Sequence, residues 1–154
     1  MFRLIYGLVL VLLITTPSLG QQSLVGTYKI VSHDVQVNGT AIQPLGKAPH
    51  GYLVITPTRY IVFIMAENRK FGTSVAEKAA LLDTMTAFSG VYHVEGSKLL
   101  IKVDASWTEV WTGQDQVRHW TLSGNRLMLT TDPGVYPRDP SKTTVARQVW
   151  EKIE

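Results

Sequence analysis

The sequence predicts an all-β protein, an eight-stranded antiparallel up-and-down barrel with one helix between the third and fourth strands. From residue 24 onward, Gly, Pro, Asn and Asp recur at short intervals between runs rich in β-branched and aromatic residues. Several connections between runs are short, so neighbouring strands should pair antiparallel. No long crossover separates the runs, and closing the sheet would leave no bare edge. Such a barrel is either filled by side chains or holds one small ligand.

The strands are predicted from the β-rich runs and the turn sequences between them. They cover residues 24–37, 51–56, 60–66, 90–95, 98–104, 114–122, 126–131 and 143–152. Turn chemistry joins three pairs of them, at Thr56-Pro57-Thr58, Glu95-Gly96-Ser97 and Ser123-Gly124-Asn125. Asn38-Gly39-Thr40 matches an N-glycosylation acceptor, but Asn-Gly is also a common tight-turn dipeptide, and we favour the turn.

One segment, residues 75–88, predicts a helix of about four turns. Ser74 and Glu77 have the spacing of a capping box. Apolar residues follow at helical spacing: Leu81, Leu82, Met85 and Phe88. Because an apolar stripe must be buried, we expect this helix to pack against the open end of the barrel or its wall.

The first twenty residues have the pattern of a signal peptide. Arg3 precedes an apolar run from Leu4 to Ile14, which is too short to span a bilayer, and Ser18 and Gly20 supply small residues around the cleavage site. We therefore expect residues 1–20 to be removed and residues 21–154 to form one exported domain, periplasmic or secreted. An uncleaved anchor helix is the alternative interpretation.

Composition excludes several functional classes. The chain has 154 residues and no cysteine, so it can form neither disulfides nor thiolate sites. Without Arg3, fourteen basic and twelve acidic residues remain, a net charge of +2 that argues against nucleic acid or an anionic membrane as a partner. The four histidines are scattered, and no metal, nucleotide or hydrolase motif occurs, so we expect no metal and no cofactor.

Ordered pieces of the chain are similar to a known family. The pieces are Leu24-Val25-Gly26-Thr27-Tyr28, Gly51-Tyr52-Leu53, Phe88-Ser89-Gly90-Val91-Tyr92, Trp111-Thr112-Gly113-Gln114-Asp115, Gly124-Asn125-Arg126-Leu127 and Arg147-Gln148-Val149-Trp150. Together they resemble the lipocalin-like domain proteins of bacteria and fungi over residues 24 to 152, with Tyr28 where a tryptophan is usual. The resemblance implies a calycin-type barrel with a small-molecule cavity and transfers no catalytic residue. It also implies that Arg147 stacks on Tyr28 as a cation–π contact, the alternative being an exposed Arg147 paired with Glu151.

Alternation along the strands predicts which side chains face inward. Because Lys29 belongs in water, the face of Tyr28 should be inward and His33 outward. Arg118 shares a face with Trp120 and Leu122 and should also point inward, where it would anchor a negatively charged ligand group. The alternative is an aromatic stack or a salt bridge inside the barrel, with Asp115 or Glu109.

Aromatic residues cluster around the predicted sixth strand. Trp107 and Trp111 lie on a long connection, where they either cover a pocket mouth or pack beneath the loop. The complete predicted ligand-binding set is Arg118, Trp120, Trp107, Trp111, Tyr92, His93 and Tyr60.

Three functions are compatible with these patterns. The leading hypothesis is a protein that binds a small hydrophobic or weakly acidic ligand. The second is an isomerase, cyclase or dehydratase that uses His93 or Tyr92 as acid or base beside Arg118. The third is a filled barrel with a structural or partner-binding role.

Overall fold

The computed structural model describes residues 24–136 and 139–154, so the predicted signal peptide lies outside the described residues. The described ranges contain one helix, α1 (Val75–Leu82). The strands are β1 (Gly26–Val37), β2 (Thr40–Ile42), β3 (His50–Ile55), β4 (Arg59–Met65), β5 (Met85–Glu95), β6 (Lys98–Ser106), β7 (Asp115–Ser123), β8 (Arg126–Thr130), β9 (Gly134–Tyr136) and β10 (Asp139–Lys152).

Eight of these strands form a closed antiparallel barrel. Strands β1 and β3 to β8 pair in sequence, β8 pairs with β10, and β10 pairs back to β1. The short strands β2 and β9 add to the margins of β1 and β10. The all-β barrel prediction is therefore confirmed, because the first and last long strands meet and leave no open edge.

The position of the helix differs from the prediction because a short strand was missed. Asn38 and Gly39 have φ values of 48° and 82° and form the tight turn that the sequence predicts. The chain then folds back on β1 as β2, with Val35 opposite Ile42. Counted in chain order, α1 consequently follows the fourth strand instead of lying between the third and fourth.

The helix is also shorter than predicted and buries no side chain. Its capping box is present, with Ser74 Oγ accepting from the Glu77 amide at 3.2 Å. However, it ends at Leu82, and Phe88 belongs to β5, where it lies opposite Val62 of β4. Spacing alone allowed a helix through Phe88, but the pairing with β4 gives this ring a buried place that an exposed helix lacks.

A bulge in β1 changes which residues face the interior. The register with β10 shifts between Ile30 and Ser32. Tyr28 and Ile30 are buried before the shift, and His33 and Val35 are buried after it. The prediction that His33 faces outward is therefore wrong, because one extra residue reverses the alternation beyond the bulge.

One end of the barrel is closed by packed side chains and a lysine. The Tyr28 hydroxyl donates to the Leu24 carbonyl oxygen at 2.8 Å beside the fully buried Trp150. Lys152 Nζ lies 5.8 Å from the centroid of the Tyr28 ring and donates to the Val25 carbonyl oxygen at 2.7 Å. Gly26 makes room for this lysine, because a Cβ there would lie 2.5 Å from Lys152 Cε.

The cation that contacts the Tyr28 ring is thus Lys152. The resemblance implied Arg147 at this place, and that prediction is wrong. Arg147 lies opposite Asp34, five residues before Lys152 along β10. Its side chain is exposed, and its Nε donates to Met128 Sδ at 3.1 Å. The register of β10 therefore places Arg147 too far from the closed end to reach Tyr28.

The connections divide the barrel into two unlike ends. At the closed end, β3–β4, β5–β6 and β7–β8 are joined by turns of two or three residues. At the opposite, open end, the longer connections run from β1 to β3, β4 to β5, β6 to β7 and β8 to β10. An antiparallel meander requires this alternation, and it concentrates the variable segments around one opening.

At Gly90, β5 approaches the backbone of β6 closely, and a substitution there can test this approach. A Cβ at Gly90 would collide with the backbone carbonyl of Lys102, next to the register shift after Ser89. We expect Gly90→Ala to lower the free energy of unfolding by about 1–3 kcal/mol in urea denaturation, because backbone atoms must move. Gly134→Ala is the control, since its nearest neighbouring atom is 4.0 Å away. Equal losses in the two variants would contradict the close approach.

Candidate functional site

A cavity of about 350 Å³ lies at the open end of the barrel. Its walls come from β1, β5, β7 and β10, and residues of β9 lie over one side. Apolar lining is provided by Val35, Phe88, Trp111 and Ala146. Polar lining is provided by His33, Gln116, Arg118 and Gln148. The cavity thus combines an apolar body with polar groups on facing walls.

Arg118 is the buried cation of this cavity. It lies on β7 opposite Leu99, and only 7% of its surface is exposed. Nη1 donates to the Val117 carbonyl oxygen at 2.8 Å, and both Nη atoms lie 3.2–3.3 Å from Gln116 Oε1. Its Cζ is 5.6 Å from the centroid of the Phe88 ring. Arg118 is therefore inward, as strand alternation predicts, and it stacks on an aromatic ring.

The charge of Arg118 is not neutralised by any carboxylate in the described ranges. Asp115, one predicted partner, lies 3.4 Å from Lys102 Nζ instead, and Glu109 forms no ion pair with Arg118. Burial lowers the pKa of Arg118, but a guanidinium keeps its proton at any physiological pH. Of the two contacts predicted for Arg118 inside the barrel, the aromatic stack is present, and the salt bridge with Asp115 or Glu109 is absent. The guanidinium therefore faces the cavity with only amide, carbonyl and aromatic partners, while the one lining carboxylate among the described residues, Asp132, lies 2.6 Å from His119 Nε2.

A second set of polar side chains links β10 to β1 by hydrogen bonds. Trp150 Nε1 donates to Gln148 Oε1 at 3.3 Å, and Gln148 Nε2 lies 3.3 Å from His33 Nδ1. Because an indole nitrogen can only donate, the Gln148 oxygen must face Trp150 and its NH₂ group must face His33. His33 Nδ1 is then an acceptor, which assigns a neutral imidazole with its proton on Nε2.

Aromatic rings support the wall beside Arg118. The Tyr60 and Phe88 rings stack with centroids 5.5 Å apart, and Trp111 meets Phe88 edge-on at 5.6 Å. Trp107 packs edge-on against Trp111 at 6.3 Å. The Tyr60 hydroxyl is buried without a hydrogen-bond partner among the described residues. Burial raises the pKa of Tyr60 to about 12, and the nearby charge of Arg118 opposes this rise.

The structure brings only part of the predicted set to the cavity. Arg118 and Trp111 line it. Tyr60 and Trp107 do not line it but pack behind residues that do. One tryptophan of the predicted connection is therefore at the cavity, and the other packs beside it.

The other three predicted residues lie elsewhere. The Trp120 amide donates to the Ser97 carbonyl oxygen at 2.8 Å, beside a closed-end turn. The Tyr92 hydroxyl donates to the Thr56 carbonyl oxygen at 2.9 Å, also at the closed end. His93 alternates with Tyr92 and points outward, its side chain 62% exposed and 3.1 Å from Glu95. Alternation placed Trp120 on an inward face, but it does not tell which end of a strand reaches the cavity.

Several lining residues were missed from the sequence. Gln148 could have been found, because it precedes Trp150 by two residues on the same strand face. Phe88 could have been found by extending the alternation of Gly90 and Tyr92 backwards. His33 carried no such signal, because the bulge that turns it inward has no motif of its own.

Two properties of the described ranges bear on cofactors and membranes. Within residues 24–136 and 139–154, no three His, Asp or Glu side chains are grouped so as to hold a metal ion. Over the same ranges, the helix is neither long nor apolar enough to cross a membrane.

Comparison with known proteins identifies a family over most of the chain. The sequence matches the family model described as a lipocalin-like domain over residues 25–153. No curated protein matches the sequence.

Tyr60 and Tyr92 are both buried and allow a matched test of what each hydroxyl group contributes to stability. We expect Tyr60→Phe to leave stability at pH 7 unchanged or higher, because it removes a hydroxyl that has no partner among the described residues. Tyr92→Phe is the control and should cost about 0.5–1.5 kcal/mol, because it deletes the hydrogen bond to Thr56. Urea denaturation measures both, and the opposite ranking would contradict this placement.

Tyr60 also gives the stability a dependence on pH. The ordinary pKa of tyrosine is 10.0, and Tyr60 ionises near 12 in the folded chain. Between these values the unfolded chain loses this proton and the folded chain keeps it, so folding stability falls as pH rises. Tyr60→Phe should remove that part of the fall.

Proposed function

The chain belongs to the lipocalin-like domain family, and we propose that it binds a small molecule with an apolar body and an acidic end inside the barrel. The observation that carries this proposal is Arg118, a buried cation that lines the cavity and has no carboxylate partner in the described part of the chain. A cavity of about 350 Å³ lies at the small end of ligand pockets.

The acidic end is argued from the energetics of a buried charge. A buried cation without a counter-ion is costly, and the hydrogen bonds that Arg118 donates to Gln116 and Val117 compensate only part of that cost. A ligand carboxylate, phenolate or enolate would supply the missing negative charge. The planar fork of donors on a guanidinium matches a carboxylate especially well.

The apolar body is argued from the rings beside that cation. Phe88 and Trp111 both line the cavity and meet edge-on, so they supply aromatic contact area to an apolar ligand. Val35 and Ala146 continue the apolar lining on the facing wall. This arrangement favours a compact molecule with its acid beside Arg118 and its apolar part between the walls.

Binding is better supported than the isomerase, cyclase or dehydratase alternative. That alternative needs an acid or base beside Arg118, and neither candidate lines the cavity. His93 is exposed to solvent on the outer surface, and Tyr92 donates its hydroxyl proton to Thr56.

The acid proposal is tested with aryl-alkanoic acids and the primary amide of each, titrated by calorimetry. We expect the acids to bind more tightly than the amides. Arg118→Met should weaken acid binding by about 1.5–3 kcal/mol, the value of a lost charge-assisted hydrogen bond, and amide binding much less. Arg147→Met is the matched control, because Arg147 is exposed and outside the cavity lining.

Two results would contradict the proposal. One is an equal loss of acid and amide binding in Arg118→Met with a lower melting temperature, which would make Arg118 a structural residue. The other is an unmodified protein that binds the amides as tightly as the acids.

We also propose that the protein is exported and that residues 1–20 are removed. Arg3, the apolar run that follows it, and Ser18 and Gly20 support this proposal. N-terminal sequencing of the exported protein should begin near Gln21, and exported protein that still begins at Met1 would contradict cleavage. Leu10→Arg, which interrupts the apolar run, should abolish export.

A further inference from the structure

The hydrogen bonds of Arg118 leave one edge of its guanidinium open. A guanidinium has five N–H groups. The two on Nη1 donate to the Val117 carbonyl oxygen and to Gln116 Oε1, and one on Nη2 donates to the same Gln116 oxygen. The Nε–H group and the second N–H group of Nη2 donate to no residue of the described ranges. These two groups lie parallel on one edge of the guanidinium plane, so they form a two-donor site that fits a carboxylate.

Gln116 closes the other approach to this cation. An oxygen that accepts from both Nη1 and Nη2 lies at the end of the guanidinium, between these two nitrogens. Gln116 precedes Arg118 by two residues on β7, shares its inner face and is the nearer of the two to the open end. An acid that enters from the open end therefore meets an occupied end and an open edge. Only at the edge can it bind without displacing a hydrogen bond.

The same contact fixes the orientation of the Gln116 amide. Because a guanidinium can only donate, the Gln116 atom that faces it must be the oxygen. The NH₂ group is bonded to the same carbon and points away from the guanidinium. Gln116 is half-buried and lines the cavity, and its NH₂ group donates to no group in the described part of the chain. An uncharged donor therefore lies next to Arg118 in the cavity lining.

We propose that Gln116 determines which acids the cavity binds, and that the preferred ligands are small apolar acids with an acceptor oxygen on the carbon next to the carboxylate, as in 2-oxo acids. This inference rests on the acid binding proposed above. The ligand carboxylate accepts from Nε and Nη2 of Arg118, and the neighbouring oxygen accepts from the NH₂ group of Gln116.

The arrangement requires a neutral amide at position 116. A glutamate there would place a carboxylate on the same two Nη atoms and neutralise the cation inside the protein. The cavity would then lose its attraction for acids. An apolar side chain would leave the cation available but would remove the second donor.

The test compares three ligands of similar size by calorimetry with the full-length protein. Benzoylformate is a 2-oxo acid, phenylacetate is the acid without the oxo group, and phenylacetamide is its neutral analogue. We expect benzoylformate to bind about two- to tenfold more tightly than phenylacetate, which is the effect of one neutral hydrogen bond. Phenylacetate should in turn bind more tightly than phenylacetamide, as the proposed function requires.

Two substitutions separate the roles of the amide. Gln116→Met should abolish the preference for benzoylformate, while phenylacetate still binds more tightly than phenylacetamide. Gln116→Glu should weaken the binding of both acids at least about tenfold, because their charge-assisted bonds to Arg118 are lost, and should leave phenylacetamide binding unchanged. Gln114→Met and Gln114→Glu are the matched controls, because Gln114 is exposed and outside the cavity lining. Both controls should bind all three ligands as the unmodified protein does.

A second measurement does not depend on any variant at position 116. In protein made with isotope-labelled arginine, the Nε–H signal of Arg118 is assigned by its absence from the nuclear magnetic resonance spectrum of Arg118→Met. Phenylacetate should move this proton signal downfield, because the Nε–H group gains a charged acceptor. An acid bound at the end of the guanidinium would leave the signal in place.

Four results would overturn this inference while acid binding stands. They are equal affinities for benzoylformate and phenylacetate, a benzoylformate preference that survives in Gln116→Met, full acid binding in Gln116→Glu, and an Nε–H signal that phenylacetate does not move. Failure of the proposed function has a different signature. The unmodified protein would then bind phenylacetate no more tightly than phenylacetamide.

Discussion

The hydrogen-bond ladder between β1 and β10 closes the barrel, and the interior of the protein exists only because of this closure. It runs from Tyr28 opposite Lys152 to Val37 opposite Thr144 and turns an open sheet of sequential hairpins into a closed surface. Only after closure does each strand have a single inside, so that inward residues of distant segments share one interior. His33 and Gln148 meet directly across this ladder, and Arg118 reaches the same cavity from β7. Without the ladder, both margins would be exposed strand edges and the cavity would have no wall between them.

Closure also explains why the two ends of the barrel have different structural roles. The closed end is held by short turns and by the packing of Tyr28, Trp150 and Lys152, so local stability is concentrated there. The open end carries the long connections, an exposed helix and the cavity mouth, which are the parts where variation costs least stability. Stability and recognition can therefore change almost independently, and this separation suits a scaffold whose ligand is set by a few cavity residues.

Within the cavity, the burial of Arg118 links stability to binding. The chain supplies a ring, a carbonyl and an amide to this cation, and no carboxylate from the described residues. A full internal salt bridge would have made the cation inert toward acids, whereas exposure to water would have weakened any electrostatic attraction. The neutral His33 assigned by its contact with Gln148 adds no second charge on the facing wall. Arg118 is thus the buried cation of the described cavity lining and can distinguish an acid from its neutral analogue, while the lining carboxylate Asp132 lies beside His119.

Local sequence patterns were enough to predict the barrel class, the turn at Asn38-Gly39, the capping box before α1 and the inward direction of Arg118. Each of these follows from local chemistry: strand alternation, turn preference or side-chain hydrogen bonding within a few residues. Strand pairing, in contrast, was needed to show that His33 faces inward, that Phe88 belongs to β5, that Lys152 instead of Arg147 lies on Tyr28, and which inward residues reach the cavity. All of these features depend on strand register. A one-residue bulge reverses strand faces, pairing with a neighbour overrides helical spacing, and the distance along a strand to either end is fixed only when all eight strands are aligned.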